Sequence, residues 1–273
     1  MSRRLAGILA LLGFAILIVP GFFAPEFLPS GDMSLRLAPP SEMPPFGADR
    51  SGRPLSAYLT QGSKIVAIPS LFAGLIVMAF AVLGGLLACT DSKRLSVVIQ
   101  GVGEVLGALP RLVVILVVAR LVPRDQRSLV PIAVTWALLS APGAMDEAAS
   151  VAGRLGGARF VEALRAHGFS KTRVFLYHVV FLNLRPVVVR QALEVFAQVV
   201  FLEIALSYLT SAAYLESFTH PDSSHSWAEI LFLGYQSLPP VGIESMHALA
   251  LGMGLIGLVL ASSAAAVWAV RAR

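Results

Sequence analysis

The sequence contains few charged residues. Asp, Glu, Lys and Arg make up only 14% of its 273 residues, whereas 56% are hydrophobic. Soluble domains have a similar apolar fraction, but about a quarter of their residues are charged. So few polar side chains cannot cover the surface of a soluble protein of this length. The composition therefore indicates that much of the surface faces lipid.

The sequence also lacks the residues of several common sites. Its single cysteine, Cys89, lies in an apolar run, which excludes an internal disulfide and a cysteine-based zinc site. There is no Gly-x-x-x-x-Gly-Lys-Ser/Thr phosphate-binding loop, no His-Glu-x-x-His and no Gly-x-Ser-x-Gly. The chain has no known motif for hydrolysing ATP, and we predict that it is not an enzyme and holds no cofactor.

The five histidines do not form a metal-binding pattern. His220 and His225, with Asp222, come closest, but two histidines and one carboxylate in a polar segment fall short of a zinc site. The net charge of +5 comes from lysine and arginine in loops between apolar segments, so it reflects membrane topology rather than nucleic-acid binding. We expect neither a metal site nor a nucleic-acid partner.

Six segments are long and apolar enough for transmembrane helices, each of which needs about 20 such residues. They are 5–24, 65–89, 95–119, 128–145, 186–213 and 245–270. The first exceeds the roughly 7–15 apolar residues of a signal-peptide core, so we expect a transmembrane helix there. The fourth contains Pro131 and ends at Pro142-Gly143, which leaves its continuity open. We predict an all-α integral membrane protein with six transmembrane helices.

Basic residues predict the orientation of the chain, because short cytoplasmic loops carry an excess of lysine and arginine. Both termini and the segment 143–185 are basic and fall on the same side of six spans. We therefore predict that they are cytoplasmic. The proline-rich segment 25–64 and the polar segment 214–240 then lie outside. We divide the chain into 1–64, the first transmembrane helix with its extracytoplasmic segment, and 65–273, the main transmembrane domain.

The cytoplasmic segment contains a short amphipathic helix. Its apolar residues and one histidine share one side at helical spacing: Phe160, Val161, Leu164 and His167. Gly168 is placed to end this helix, and Ser170 to cap a second helix over 171–180. An exposed helix of this kind fits a groove in another protein or the surface of lipid headgroups, and its pattern alone does not decide between them.

Residues 160–170, Phe-Val-Glu-Ala-Leu-Arg-Ala-His-Gly-Phe-Ser, resemble the EAA loop of binding-protein-dependent ABC importer permeases. That loop has Glu-Ala-Ala followed by a glycine, and the matching residues here are Glu162, Ala163 and Gly168. Leu164 stands in place of the second alanine. Tyr177 and Phe181 stand where relatives have an arginine and a proline, so the resemblance is to a divergent member.

Three further stretches, in the family's order, resemble the oligopeptide/dipeptide (peptide/nickel) permeases and specifically their C-type subunit. Residues 46–53, Phe-Gly-Ala-Asp-Arg-Ser-Gly-Arg, are similar to that family's outer segment before the second span. Residues 203–209 are similar to the end of its fifth span, and Ser226-Trp227-Ala228 to its last outer loop. The Gly-Leu-Gly that normally follows the fifth-span stretch is missing here.

The resemblance implies a type I ABC importer permease with a coupling helix in an EAA-like loop at 158–180. It implies that ATP-binding subunits dock through Phe160, Glu162, Ala163, Leu164 and Gly168. The implied partners are a second homologous permease subunit, two ATP-binding subunits that hold the ATP, and an extracytoplasmic substrate-binding protein. They assemble at the lipid bilayer of the inner membrane. The implied function is import of peptides or a similar small solute by alternating access.

Polar residues inside the predicted spans are candidates for lining a pathway, since such groups are costly in lipid and face protein or water. They are Glu104, Arg111, Arg190, Glu194 and Gln198. Glu104 and Arg111 are seven apart, hence near one helix face, and Arg190 and Glu194 are four apart and can pair. The same residues also fit structural contacts between helices. For Glu203, near the outer end, we expect a structural anchor.

Asp49, Arg50 and Arg53 lie in the outer segment. They fit an ion-pair cluster or a contact with a delivering protein. We favour a role in fixing the turn around Gly47 and Gly52, since aspartate and glycine are the residues that tight turns use.

Two other functions remain open at the level of the sequence. A membrane-embedded enzyme would use Glu104, Arg111 and Glu194 as acid–base groups. It would explain the charges inside the spans but not the cytoplasmic loop. A structural scaffold would bind ATPase subunits without any flux of solute.

Overall fold

A computed structural model describes residues 2–26, 29–88, 93–123, 126–156, 159–170, 173–212, 225–236 and 246–271. The described residues form ten α-helices. They are α1 Arg3–Ile18, α2 Leu55–Gly62, α3 Ile68–Ala88, α4 Lys93–Ala108, α5 Arg111–Leu121, α6 Leu129–Gly156, α7 Arg159–Ala166, α8 Arg185–Ala212, α9 Trp227–Gln236 and α10 Met246–Val270. Extended pairing within these ranges is limited to one bridge between Ala48 and Pro54. The predicted all-α fold is confirmed.

Five continuous helices are long and apolar enough to cross a membrane: Arg3–Phe23, Leu55–Ala88, Leu129–Leu155, Val174–Thr210 and Met246–Val270. The second begins at Leu55, earlier than the predicted start at residue 65, because α2 continues through a π-helical turn, Ser63–Ala67, into α3. Polar residues in α2 and in the π-helical turn lower the hydropathy of this part, so the apolar pattern did not predict that the helix begins there. Gln61 is buried, and its side chain donates to the Glu26 carbonyl at 3.1 Å.

The remaining predicted span, the third in chain order, is a bent pair of helices. Gly101–Ala108 and Arg111–Leu121 meet at an angle of 80°. The break falls at Pro110, which has no backbone N–H to continue the helix and keeps the residue before it away from helical geometry. Glu104 and Arg111 therefore lie on opposite sides of a bend, and the prediction that they share one helix face is wrong.

The fourth span, whose continuity was in question, is a single helix. Pro142 lies inside α6, which runs without interruption from Leu129 to Gly156. In a membrane protein, neighbouring helices hold a proline-containing helix in place. Here α3 packs along α6, and the ideal Cβ position of Gly103 in α4 lies 3.2 Å from the Pro142 Cβ.

The centre of the bundle is α3, which packs against α6 on one side and α8 on the other. Its buried face is built from small residues, which let helix backbones approach closely in lipid. A Cβ at Gly84 would lie 2.6 Å from the Met145 Cα of α6, and one at Gly74 would lie 2.7 Å from the Ala192 carbonyl oxygen of α8. Outside this core, α1 packs on α10, and α9 packs on both α10 and α8.

The segment before α2, which we call the outer segment after its predicted location, is organised around Asp49, a residue that is only 5% exposed. One carboxylate oxygen accepts hydrogen bonds from the backbone N–H groups of Ser51 and Arg53, both at 2.8 Å. The other accepts from the Tyr58 hydroxyl at 2.6 Å. Gly52 completes the turn with a φ of +71°, a conformation that favours glycine. The turn-fixing role predicted for Asp49 is confirmed.

Hydrogen bonds join α9 and the residues just before it to α2. The indole N–H of Trp227 donates to the Leu59 carbonyl at 3.1 Å, and Gly62 leaves room for the indole ring, since a Cβ there would lie 2.0 Å from it. The backbone N–H of His225 donates to the Gln61 side chain at 2.9 Å, and its imidazole pairs with Glu229. His220, Asp222 and Cys89 lie outside the described residues.

Candidate functional site

Helix α7, predicted to be cytoplasmic, ends in a glycine cap. Gly168 has a φ of +84°. Its N–H donates to the Arg165 carbonyl at 2.9 Å, and the N–H of Phe169 donates to the Leu164 carbonyl at 3.2 Å. This pair of bonds is the Schellman motif, which satisfies the last carbonyls of a helix. The predicted helix end at Gly168 is confirmed.

The apolar face of α7 packs inward. Val161 is buried, and Leu164 and Phe169 lie half-buried against the core of the chain. Phe160 belongs to α7, but its side chain lies outside the described part of the structure. The outward face holds Glu162, Ala163, Arg165, Ala166 and His167. The prediction that His167 shares the apolar side is wrong, because its ring is exposed and its Nδ1 lies 2.7 Å from the Ala163 carbonyl.

The elbow after Gly168 leads into one long helix. The Ser170 hydroxyl accepts from the backbone N–H of Arg173 at 3.3 Å, so the predicted cap is confirmed. Beyond the cap, a π-helical stretch, Val174–Leu184, continues directly into α8. The Phe169 ring braces the elbow, since the Arg173 guanidinium lies 5.0 Å above it and His178 meets it edge-on at 5.9 Å.

Polar side chains on α6 and α8 form a connected row that we call the polar ladder. Its members are Trp136, Glu147, Arg190, Gln191, Glu194 and Gln198. Arg190 and Gln191 both donate to Glu147, one to each carboxylate oxygen. A second nitrogen of Arg190 lies 3.8 Å from Glu194, so the predicted pair is confirmed. Glu194 is the middle of the ladder.

The part of the ladder around Gln198 joins α8 to α6 and α5. The Gln198 side-chain amide donates to Glu194 at 3.2 Å, and its carbonyl accepts from the indole N–H of Trp136 at 2.9 Å. The Arg111 guanidinium lies 6.0 Å from the centre of the Trp136 ring, at the limit of a cation–π contact. Four of the five residues predicted from the spans therefore meet in one place.

Glu104 is the exception. It is exposed on α4, beyond the bend at Pro110, and within the described residues no hydrogen bond or ion pair joins it to the ladder. The acid–base set proposed for a membrane enzyme, Glu104 with Arg111 and Glu194, is therefore not assembled in this chain.

Part of the ladder faces a cavity. Arg190 and Glu194 line an open cavity of about 370 Å³ between α8 and α10, and Trp268 and Arg271 lie on the α10 side. The side chains of Arg190 and Glu194 are 43% and 49% exposed. Charged groups at this level of a membrane helix must face protein or water. We therefore expect this surface of the bundle to face protein or water rather than lipid tails.

No family model matches the sequence. A comparison with curated proteins finds the Escherichia coli (strain K12) protein named "Probable D,D-dipeptide transport system permease protein DdpC". The two are 28% identical over 169 residues, which is 60% of this chain and 54% of DdpC. The chain is similar to a permease of a dipeptide transport system. The resemblance predicted from the sequence is thereby confirmed, and the chain spans about half the length of the curated relative it matches.

The relationship and the fold agree about the class of protein. The chain is similar to a transport permease and has five long apolar helices and one bent pair. These findings indicate that this permease homologue is a multi-pass inner-membrane protein. By its name, the relative is a component of a transport system. The orientation of the termini stays a prediction from the basic loops.

Two site features of the permease homologue were missed from the sequence. Glu147 was assigned to a cytoplasmic loop because the apolar run ends near Met145, yet α6 continues past it. The alanines at 144, 148 and 152, all buried, carry the helical spacing that would have revealed this. Trp136 was not singled out because a lone tryptophan in a span carries no signal of its polar partner.

Glu203 in the permease homologue is fully buried in the C-terminal half of α8. One of its carboxylate oxygens accepts a hydrogen bond from the Ser207 hydroxyl, one turn further along, at 2.6 Å. The placement fits the anchoring role expected for this residue, in contrast to the half-exposed charges of the polar ladder.

Proposed function

We propose that the chain is the transmembrane pore subunit of an ATP-driven importer for peptides or a similar small solute. The observation that carries the proposal is α7, a capped helix that turns Glu162 and Ala163 outward between the two long helices α6 and α8. The similarity to a peptide-importer permease supports it.

In the proposed mechanism, an ATP-binding subunit docks on α7 through Glu162, Ala163 and the neighbouring exposed positions. The inward residues Val161 and Leu164 pack on the chain's own core, so that a displacement of α7 is passed to the helices on either side. ATP can drive a conformational change only by binding one state more tightly than the other. Contact at α7 supplies that difference to the membrane part, which opens alternately to each side.

We place the solute pathway along the polar ladder. It offers one cation and two carboxylates on a surface that does not face lipid, between this chain and a second homologous permease subunit. An ammonium or a carboxylate of a passing solute would find a partner there. An extracytoplasmic binding protein would deliver the solute, and the ATP would be held by two partner subunits at the cytoplasmic face.

The test compares two exposed glycines near the cytoplasmic side. Gly168→Val forces a β-branched residue into left-handed geometry, which costs about 1–2 kcal/mol for ordinary residues, and distorts the cap of α7. Gly153→Val adds the same side chain within α6, where nothing lies within 4 Å of the new Cβ, as is also true at Gly168. We expect Gly168→Val to lose both uptake and co-purification of the ATP-binding subunits while membrane insertion persists.

Gly153→Val is expected to retain uptake and partner binding. Glu162→Arg reverses an exposed charge without disturbing the packed face, and we expect it to lose partner binding as well. Normal uptake by both Gly168→Val and Glu162→Arg would rule out coupling through α7. Solute turnover by the purified single chain without ATP-binding subunits would favour an enzyme instead.

A further inference from the structure

A second groove lies along a different face of α8 from the cavity between α8 and α10. It has a volume of about 480 Å³ and is walled by Met78 and Val82 of α3, by Tyr177 and Phe181 of the π-helical stretch, and by Val189 of α8. Arg185 contributes the charged group of its lining. The groove is therefore an apolar channel with a cation beside it.

The aromatic wall is an ordered feature. The rings of Tyr177 and Phe181 stack with their planes 11° apart and their centres 5.9 Å apart. Both rings are more than half exposed, so the wall is open to whatever surrounds the bundle. Tyr177, Phe181 and Arg185 follow at intervals of four, and all three line the groove.

The depth of Arg185 follows from the length of its helix. The 25 residue-to-residue steps from Arg185 to Thr210 rise about 37 Å at 1.5 Å each, more than the roughly 30 Å hydrocarbon core of a bilayer. When Thr210 lies at one surface, Arg185 lies at the headgroup level of the other. The apolar groove beside it then extends along the acyl chains.

Arg185 has no ion-pair partner in the part of the chain that the structure describes. An exposed arginine at headgroup depth attracts phosphate, because its guanidinium matches phosphate oxygens in charge and geometry. The apolar walls suit an acyl chain, and an aromatic side chain with a polar tip, such as Tyr177, favours the membrane interface. One ligand combines these properties.

We propose that this groove is a binding site for an anionic phospholipid. Its phosphate is held by Arg185, and one acyl chain lies between Val82 of α3 and the aromatic wall of Tyr177 and Phe181. The lipid fills the junction where α3, the π-helical stretch and α8 meet. The site is distinct from the pathway proposed above and does not depend on transport.

The experiment is native mass spectrometry of the full-length, detergent-purified chain with phosphatidylglycerol or phosphatidylcholine as the probe. We expect phosphatidylglycerol to remain bound more than phosphatidylcholine. Arg185→Gln is expected to weaken phosphatidylglycerol binding by roughly tenfold or more, as for loss of a charge-assisted hydrogen bond. Arg185→Lys should retain most of the binding. Arg154→Gln, an exposed arginine on α6 away from the groove, is the matched control and should bind as the unaltered chain does.

The apolar part of the site is tested separately. Val189→Trp fills the groove and is expected to weaken both lipids. Equal binding of the two lipids, or phosphatidylglycerol binding that survives Arg185→Gln, would overturn the proposal. Displacement by inorganic phosphate would assign the arginine to a free anion instead. A chain dimer that dissociates in Val189→Trp would assign the groove to a second copy, which also contradicts the proposal.

Discussion

The carboxylate of Asp49 offers the sharpest test of how the outer segment is held. Asp49→Ala removes the acceptor of two backbone N–H groups and of the Tyr58 hydroxyl. Tyr58 is only 2% exposed, so its hydroxyl would lose its partner in a place that water reaches poorly. The two backbone groups, of Ser51 and Arg53, lie in a part-buried turn and can bind water instead.

The expected magnitude follows from these three contacts. A hydrogen bond to a charged group contributes about 1.5–3 kcal/mol, and a buried donor left without a partner costs about 1–3 kcal/mol. Because the backbone groups regain water, we count chiefly the Tyr58 contact and expect the outer segment to lose about 3 kcal/mol of local stability. That loss raises the population of the opened segment on the order of 100-fold.

Limited trypsin digestion measures this opening, because cleavage tracks the population of the open form when opening is fast. Arg50 supplies the cleavage site, since the Arg53–Pro54 bond resists trypsin. Asp32→Ala is the matched control, since Asp32 makes the same kind of contact with Ser34 but is fully exposed. The Ser34 hydroxyl and amide hold the pKa of Asp32 below its usual range, yet we expect no change in cleavage.

Equal cleavage rates for Asp49→Ala and Asp32→Ala would refute the reasoning. Tyr58→Phe supplies a second check, because it removes one of the three donors and keeps the carboxylate. We expect it to have a smaller effect than Asp49→Ala. The double variant should be cleaved no faster than Asp49→Ala alone, since both changes break the same contact.

Two further predictions concern the bundle. Glu147→Gln removes the charge that Arg190 faces. Because both side chains are about 40% exposed, we expect the free energy of unfolding to fall by less than about 1 kcal/mol but uptake to fall clearly. Unchanged uptake would place the ladder outside the pathway. Gly84→Val drives a side chain into the Met145 backbone, and we expect it to lower stability by about 1–3 kcal/mol or to prevent folding. Gly257→Val is the control, because the new side chain has open space around it. Equal yields of the two folded variants in nanodiscs would contradict the packing described for α3.

Much of the architecture follows from the sequence for simple reasons. A run of about 20 apolar residues has few alternatives to crossing the membrane. Gly168 was found because a helical pattern ended where glycine is the residue that tolerates left-handed geometry. Arg190 and Glu194 were paired by their spacing alone, and the structure places them 3.8 Å apart at their nearest charged atoms.

The errors share a different cause, since each depends on neighbours that a single segment does not reveal. Pro110 breaks its helix and Pro142 does not, although both lie in apolar runs, because α3 and α4 pack against the second and hold it. Glu147 escaped notice because a charge ended the apolar run before the helix itself ended. His167 has helical spacing with the apolar residues, yet it lies beyond the point where α7 contacts the core.

The unbroken helix from Val174 to Thr210 has a mechanical consequence. Its 37 residues exceed the roughly 20 that a bilayer requires, and Phe181 stands within it where the resembling permeases have a proline. Near Gly74 this helix lies in close contact with α3. A rigid helix that tilts about such a contact moves its two ends in opposite directions, so a displacement at the elbow after Gly168 would be accompanied by one at the end that carries Glu203.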